Sequence, residues 1–353
     1  MNGVRESPQG ILDKLAHLLV VQKQGGQGEH IDPELHSPSD MSAWGEDQRS
    51  AWFSDEMKVL RDCVCFGAKG PRQSILEELA EFHRESIEDA YRKCIEWEKL
   101  SIAEWKAADR STPQGVTDFY NTTTSWRYDL AWYAYLQVTG HSFPQGPAVV
   151  RFLRENGAAG GELLDFGSGI GLNAQVFDRF GFKVTIADIS RPLLAYAIWR
   201  HARHGADIKV IDLNDQPLPA TAFDVITAFD TLTHVTDFDA TSERLHAALK
   251  PDGWLIANFD TRAPDDASAW HIQDNELDLD RRLKRAGFAK QRVIGGFLGC
   301  YQSIDPSTAV HGLRTLRDRV TLPLEQAASF SRRVRWPTPR RVVNALRRVS
   351  ALH

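Results

Sequence analysis

Cysteine is scarce in this sequence. The 353 residues include four cysteines, Cys63, Cys65, Cys94 and Cys300. So few thiols exclude a small disulfide-bonded scaffold, and we expect them to be reduced. Cys63 and Cys65 are spaced C-x-C, but no second pair of cysteine or histidine residues follows nearby to complete a tetrahedral zinc site. The sequence therefore predicts no metal centre.

Long apolar runs are also missing. No uncharged apolar stretch has the length needed to cross a bilayer. Near the N-terminus, Asp13, Lys14 and His17 interrupt the apolar run, and no small-residue cleavage site follows it. This pattern is not typical of a signal peptide. We therefore expect a cytoplasmic protein.

A strong charge of either sign is absent from the chain as a whole. The net charge of −5 gives no general attraction to nucleic acid, which makes nucleic acid an unexpected partner. The C-terminal tail differs, because it carries arginines and no acid. A solvated tail is the favoured interpretation, but weak contact with an anionic membrane surface stays open. The arginines are Arg332, Arg333, Arg335, Arg340, Arg341, Arg347 and Arg348.

The composition is that of an ordinary globular protein. Hydrophobic residues make up 42% of the chain and charged residues 25%, which permits a large core. The pattern along the chain predicts four regions. They are a short helix and loose linker (1–48), a helical cap region (49–140), an α/β domain (141–305) and a C-terminal extension with the basic tail (306–353).

The cap region shows helical periodicity. Apolar residues recur at helix spacing from 73 to 108, and the aromatic-rich segment 119–135 predicts another helix. Between them, Thr112-Pro113-Gln114-Gly115 indicates a break. The shorter region before the cap predicts an amphipathic helix at 11–22.

Short β-rich runs alternate with helical runs after Pro147. The helical runs begin near Gly171, Ser190 and Phe238. This alternation predicts βαβ units, and therefore a doubly wound α/β fold with a mostly parallel sheet. Ligands bind such sheets at the carboxyl ends of the strands. The β-rich runs are GELLDFG, KVTIAD, DIKVID, FDVITAF and GWLIANF.

A glycine-rich loop follows the first of these strands. It contains Gly167, Ser168, Gly169 and Gly171, and a predicted helix begins directly after it. Glycine lets a ligand approach the backbone closely, and the helix N-terminus favours an anionic group. The loop alone does not separate this protein from a dehydrogenase, whose G-x-G-x-x-G loop holds a pyrophosphate.

Three acids separate the two interpretations. Asp165 precedes the loop, where a carboxylate would repel a pyrophosphate but would suit an ammonium group. Asp188 ends the second strand and can accept hydrogen bonds from both ribose hydroxyls. Asp212 stands beside a turn that can contact an adenine. The pattern thus predicts a ligand with an ammonium, a carboxylate, a ribose and an adenine, and without phosphate.

These motifs resemble those of the class I S-adenosylmethionine-dependent methyltransferases. The resemblance covers roughly 149–304, with the motifs in the order that the family has them. It implies seven strands with the seventh antiparallel, and S-adenosylmethionine as the methyl donor. The matching motifs are LLDFGSGIG, Asp188, DLNDQPLP followed by FDVIT, LKPDGWL and RAGF.

The resemblance also implies which residues hold the methyl donor. Asp165 and the loop residues Gly167, Ser168, Gly169 and Gly171 would line the methionine part. Asp188 would hold the ribose, Ile189 would pack on the adenine, Asp212 and Leu213 would define the adenine edge, and Phe229 would offer its carbonyl to the ammonium.

The acceptor side is less determined by the sequence. A general base is needed only where the acceptor loses a proton during transfer. Asp230 follows the fourth strand and His271 lies in a long connection after the fifth, so both are catalytic candidates. In the aromatic segment, Tyr120 or Tyr128 is predicted to reach the methyl-transfer region, which makes both catalytic candidates, although packing alone also explains that segment. His234 is interpreted as a packing residue.

We therefore expect an S-adenosylmethionine-dependent methyltransferase that acts on a small-molecule acceptor, because an aromatic cap closes a pocket. Two alternatives stay open. One is methylation of RNA or of a lipid headgroup, with recruitment by the basic tail. The other is a non-catalytic protein that binds S-adenosylmethionine. A nicotinamide-dependent dehydrogenase ranks below both.

Overall fold

A seven-stranded sheet organises the part of the chain that the structure describes. The computed structural model describes residues 54–259, 270–273 and 275–304. In this part of the chain seven strands lie in the order β3-β2-β1-β4-β5-β7-β6. They are β1 Gly161–Phe166, β2 Phe182–Asp188, β3 Lys209–Asp212, β4 Phe223–Ala228, β5 Leu249–Ala257, β6 Phe288–Ile294 and β7 Leu298–Ser303.

The strand directions agree with the sequence prediction. Neighbouring strands from β3 to β5 pair in parallel, and β7 pairs antiparallel with both β5 and β6. The predicted seven-stranded sheet with an antiparallel seventh strand is confirmed. Parallel strands need crossover connections, which bring their carboxyl ends to one edge of the sheet.

Helices surround the sheet and precede it. The helices before β1 are α1 Asp55–Val64, α2 Pro71–His83, α3 Ile87–Ile95, α4 Trp97–Ala107, α5 Pro113–Thr122, α6 Trp126–Val138 and α7 Gln145–Glu155. Those after it are α8 Leu172–Arg179, α9 Arg191–Arg203, α10 Phe238–Ala248 and α11 Glu276–Arg285. The helices predicted near Gly171, Ser190 and Phe238 correspond to α8, α9 and α10.

Two hydrophobic cores cover the two faces of the sheet. Successive side chains of a strand point to opposite faces. Leu163 and Ile186 pack with residues of α7, α8, α9 and the cap helices, whereas Leu164 and Ile226 pack with residues of α10 and α11. Each fully buried aliphatic side chain contributes about 1.5–3 kcal/mol. Helices of the cap region therefore contribute to one of the two cores.

The helical periodicity between 73 and 108 is divided among three helices. Arg84 takes a left-handed conformation, with φ 55°, and ends α2. The Ser86 hydroxyl accepts a hydrogen bond from the N–H of Asp89 and so caps the start of α3. Glu96, with φ −96° and ψ 11°, separates α3 from α4.

Thr112 and Pro113 begin a helix. The Thr112 hydroxyl accepts a hydrogen bond from the N–H of Gly115 at 3.1 Å, and Pro113 occupies the first turn of α5. Both residue types favour helix starts, because threonine caps a free N–H and proline lacks one. The segment interpreted as a break therefore ends the connection after α4 and initiates α5.

The aromatic segment forms two helices, so the prediction of a single helix is wrong. Glu104 on α4 explains the interruption between α5 and α6. Its carboxylate accepts hydrogen bonds from the hydroxyls of Thr123 and Ser125 and from the N–H of Thr124, the last at 3.1 Å. These bonds satisfy polar groups that a continuous helix would have paired internally.

A buried ion pair joins the cap to the α/β domain. The Arg200 Nε on α9 donates to Glu78 Oε1 on α2 at 2.8 Å, and both side chains are almost fully buried. Arg200 also donates to the Cys63 carbonyl of α1 at 2.6 Å, and the Tyr196 hydroxyl donates to Glu78 at 2.6 Å. One guanidinium thus links three helices.

Several sequence predictions fall outside the described residues. These are the helix at 11–22, the linker after it, and the C-terminal extension with its arginines. The limits of the four predicted regions also stay a prediction. Among the residues that the structure describes, none of the helices has the length and apolar character needed to cross a membrane. The four cysteines form no disulfide.

Candidate functional site

The glycine loop lies at the carboxyl edge of the sheet, between β1 and α8. Gly167, Gly169 and Gly171 have φ values of 68°, 54° and 71°, a region that glycine adopts without strain. A Cβ at Gly167 would lie 2.2 Å from Cγ2 of Thr231, and one at Gly169 would lie 2.7 Å from Leu130. The loop therefore needs glycine both for its conformation and for the close approach of its neighbours.

Asp165 lies buried beneath this loop. Its Oδ1 accepts a hydrogen bond from the Thr227 hydroxyl of β4 at 2.7 Å. Its Oδ2 is buried and has no hydrogen-bond partner among the described residues. Burial, with a smaller effect of the Asp188 charge, raises the pKa of Asp165 to about 7. A cation beside Oδ2 would restore the ionised form.

Asp188 ends β2 and holds the loop from the side. Its Oδ2 accepts from the N–H of Gly169 at 3.0 Å, and its Oδ1 accepts from the N–H of Ser190 at 2.8 Å. Burial raises the pKa of Asp188 to about 6, despite these bonds. Each carboxylate oxygen has a second lone pair, so the group can still accept from ligand hydroxyls.

Asp212 ends β3 and is more exposed. Its Oδ2 accepts from Arg191 Nε at 2.7 Å, and its Oδ1 accepts from the Asn214 N–H at 2.9 Å. Partial burial would raise its pKa, but the hydrogen bonds from Arg191 and Asn214 hold it below its usual range. Leu213 donates its N–H to the Asp188 carbonyl at 3.1 Å, so the two strand ends are joined.

An aromatic cluster lies over Ile189, the residue that follows Asp188. Trp105, Phe119, Tyr120 and Trp270 are buried together, and Ile189 packs against them. The cluster brings α4 and α5 to the same sheet edge as the two buried acids. The aromatic segment therefore covers the side of the edge on which the resemblance places the adenine.

Asn121 fixes α5 in this position. Its Nδ2 donates to Asn214 Oδ1 at 3.1 Å, and its Oδ1 accepts from the N–H of Arg191 at 3.3 Å. Asn214 also donates to the Ile189 carbonyl at 2.8 Å. The sequence pattern did not mark Asn121 or Asn214 as site residues. Asn214 lies within the motif DLNDQPLP, but its partner Asn121 is 93 residues away, so their contact is not visible in the sequence.

The residues after β4 form the other half of the edge. Asp230 has a left-handed backbone, with φ 49°, which is uncommon for a residue that has a Cβ. Its carboxylate accepts from the side-chain amides of Asn258 and Gln145, the latter at 3.2 Å. The Phe229 carbonyl accepts from the Thr231 hydroxyl at 2.8 Å. Asp230 is thus held in place by two amides.

Two histidines meet beside this loop. The rings of His234 and His271 are 4.8 Å apart and nearly perpendicular, and Trp126 lies 6.2 Å from His234. Nδ1 of His234 lies 3.0 Å from the carbonyl oxygen of Trp270. Because a carbonyl oxygen only accepts, Nδ1 carries the proton, and in the neutral ring Nε2 carries the lone pair.

The two predicted tyrosines have different surroundings. The Tyr120 hydroxyl is buried in the aromatic cluster, and burial, with the charge of Asp188, raises its pKa. The Tyr128 hydroxyl instead donates to Glu85 at 2.9 Å and accepts from Lys93 at 3.2 Å, within the cap. The structure therefore brings Tyr120 to the sheet edge and places the Tyr128 hydroxyl among residues of the cap.

Ser168 completes the set of predicted residues. Its N–H donates to the Ala187 carbonyl at 3.3 Å, while its hydroxyl is buried without a partner among the described residues. The structure thus assembles the loop, the buried acids, Ile189 and Leu213 at one edge. Asp230, Phe229 and the two histidines follow β4 at that edge.

Comparison with known families identifies the region that contains most of the sheet. Residues 143–293 match the family model described as a methyltransferase domain. This region is a class I S-adenosylmethionine-dependent methyltransferase domain. The match confirms the resemblance, and with it S-adenosylmethionine as the methyl donor of the family to which the domain belongs.

Curated relatives resemble part of the chain. A ubiquinone biosynthesis O-methyltransferase from Bradyrhizobium sp. (strain ORS 278) is 33% identical over 106 residues, which are 29% of this chain and 41% of the relative. Phosphoethanolamine N-methyltransferase 3 from Arabidopsis thaliana is 30% identical over 142 residues, which are 36% of this chain and 29% of the relative. The chain therefore spans less than half the length of either relative.

Solved structures are similar to the methyltransferase domain as well. One is a 1,6-didemethyltoxoflavin-N1-methyltransferase from Burkholderia thailandensis, with bound 1,6-didemethyltoxoflavin and S-adenosylhomocysteine. It is 20% identical, with a TM-score of 0.42, over 56% of this chain and 93% of that chain.

Proposed function

We propose that this protein transfers a methyl group from S-adenosylmethionine to a small-molecule acceptor. The observation that carries the proposal is the position of Asp165, the glycine loop and Asp188 at one edge of the sheet. An unpartnered buried carboxylate oxygen, a glycine-rich loop and a second buried acid fit the ammonium, the methionine backbone and the ribose, respectively. The names of the two curated relatives indicate one acceptor methylated on oxygen and one on nitrogen.

The chain's residues would act mainly by positioning. S-adenosylmethionine supplies an electrophilic methyl group on a sulfonium, and the acceptor attacks it in line with the departing sulfur. Holding the two reactants in this geometry supplies much of the acceleration. Asp165 would hold the donor's ammonium, Asp188 would hold its ribose, and the aromatic cluster would exclude water from the edge.

His234 is the residue we assign as general base for an acceptor that must lose a proton. The Trp270 carbonyl orients the ring and leaves the lone pair on Nε2, the atom that would take the acceptor's proton. This proposal replaces the interpretation of His234 as a packing residue. His271 would support the His234 ring through its edge-to-face contact, and Asp230 would line the same side of the site.

Calorimetric titration with S-adenosylhomocysteine tests the donor site. We expect an affinity on the order of micromolar for the wild type. Asp188→Ala should weaken binding by roughly 1–3 kcal/mol, because the ligand hydroxyls lose their charged acceptor. Asp215→Ala is the matched control, since Asp215 is an exposed acid at the same edge, where it pairs with Arg191. Equal losses in the two variants would contradict the assignment of Asp188.

A further inference from the structure

Tyr120 is a buried tyrosine whose hydroxyl has no hydrogen-bond partner among the described residues. The residue is 6% exposed and lies in the last turn of α5. A buried hydroxyl without a partner costs about 1–3 kcal/mol. A tyrosine used only for packing would avoid this cost as a phenylalanine, so the hydroxyl points to a ligand.

The surroundings of Tyr120 indicate which part of the ligand it meets. Its ring centroid lies 5.1 Å from that of Trp126, and Ile189 packs against the same cluster. Burial, together with the charge of Asp188, raises the pKa of the Tyr120 hydroxyl. The next residue, Asn121, ties α5 to the loops that follow β2 and β3. Tyr120 therefore lies on the Asp188 side of the edge.

We propose that the Tyr120 hydroxyl donates a hydrogen bond to a ribose hydroxyl of the methyl donor. The same ribose hydroxyl donates its own hydrogen to Asp188. This inference rests on the proposed function. A carboxylate only accepts, so a ribose hydroxyl that donates to Asp188 still has unused lone pairs in a buried site. The Tyr120 O–H supplies the missing donor. The cap thereby becomes part of the nucleoside site, whereas the sequence prediction placed Tyr120 at the methyl-transfer region.

The test compares ligands and variants by calorimetry. We would titrate wild type, Tyr120→Phe and Tyr135→Phe with S-adenosylhomocysteine and with its 2′-deoxy and 3′-deoxy analogues. Tyr135 is the matched control, because it is buried in the cap helix α6. Tyr120→Phe should lower the affinity for S-adenosylhomocysteine about tenfold, and Tyr135→Phe should change that affinity less than twofold.

The deoxy analogues identify the ligand atom. One of them should bind the wild type at least tenfold more weakly than S-adenosylhomocysteine, and that loss should be several-fold smaller in Tyr120→Phe, because the bond is already broken. Tyr120→Phe should leave the melting temperature of the ligand-free protein unchanged or raised, since it removes an unpaired buried hydroxyl.

Two results would overturn the inference. One is unchanged affinity of Tyr120→Phe for S-adenosylhomocysteine. The other is an equal loss for each deoxy analogue in wild type and Tyr120→Phe. Failure of the wild type to bind S-adenosylhomocysteine would instead contradict the proposed function itself, so the two failures are distinguishable.

Discussion

Glu78→Gln is expected to lower the free energy of unfolding by about 3–5 kcal/mol. The substitution keeps the shape of the side chain but leaves the Arg200 guanidinium buried opposite a neutral amide. Removing one partner of a buried pair costs this much because the remaining charge is desolvated and uncompensated. The effect should be large here, since both side chains are almost fully buried and the pair holds α1 and α2 against α9.

Glu81→Gln provides a matched control for this prediction. Glu81 lies on the same helix and pairs with Arg203 at 3.1 Å, but its side chain is 57% exposed. An exposed pair contributes about 0–1 kcal/mol. Denaturant unfolding of both variants, followed by circular dichroism, measures the difference. Similar small losses in the two variants would show that the buried pair does not anchor the cap.

The pH dependence of the same measurement follows from the pKa of Glu78. Although burial would raise it, the charge of Arg200 and the hydrogen bonds around the carboxylate lower the pKa of Glu78 to about 2. Its contribution to stability is therefore full above the unfolded pKa, near 4.5, and is lost as the pH falls toward about 2. The difference between wild type and Glu78→Gln should shrink over that range.

His234→Asn is expected to reduce kcat by roughly 10²–10⁴-fold for an acceptor that loses a proton. The asparagine amide can still donate to the Trp270 carbonyl, so the hydrogen bond that orients residue 234 is retained. It has no counterpart of the basic Nε2 atom. S-adenosylhomocysteine affinity should stay within about twofold, because His234 is not among the residues that would hold the methyl donor.

Turnover is measured as formation of S-adenosylhomocysteine with a panel of phenol and amine acceptors. The acidic limb of the kcat profile against pH should disappear in His234→Asn and remain in His271→Asn. If the limb instead disappears in His271→Asn, then His271 is the base, as the sequence suggested. An unchanged kcat in His234→Asn would contradict our assignment.

The sheet and its glycine loop could be predicted because their determinants are local. Each of the strands β1 to β5 contains a short β-rich run, and the loop and the acids at the strand ends lie next to those runs in the sequence. The last two strands were expected from the family resemblance alone. The start of α5 at Thr112 was also encoded locally, by a capping threonine followed by proline. That signal was interpreted as a break because both residue types also occur in turns.

The interruption of the aromatic segment could not be predicted, because its cause lies elsewhere in the chain. Glu104 supplies the acceptors for Thr123, Thr124 and Ser125 from a preceding helix. The interruption separates the helix that carries Tyr120 from the helix that carries Tyr128. In a single helix, the relative positions of Tyr120 and Tyr128 would follow from their spacing in the sequence. The sequence therefore did not show that the two side chains have different surroundings.

The position of the proton on the His234 ring depends on a contact with a residue that is also distant in the sequence. Its proton position follows from the Trp270 carbonyl, which is 36 residues away. Asp230 is similar, since Gln145 and Asn258 hold its carboxylate from α7 and from the end of β5. Sequence patterns identified the loop in which these residues lie, but the partners that define their chemistry are set by tertiary structure.

The most direct test of the methyl-donor site is titration of the wild type with S-adenosylhomocysteine at pH 5.5 and pH 8. Burial raises the pKa of Asp165 to about 7, and a ligand ammonium requires the ionised form. Below that pKa the site must release a proton in order to bind, so affinity should fall as the pH is lowered. We predict binding at pH 8 that weakens on the order of tenfold at pH 5.5. Asp165→Asn should show a smaller dependence, which reflects the remaining titration of Asp188, whose pKa is raised to about 6. No binding at either pH, or equal affinity at both, would contradict the account.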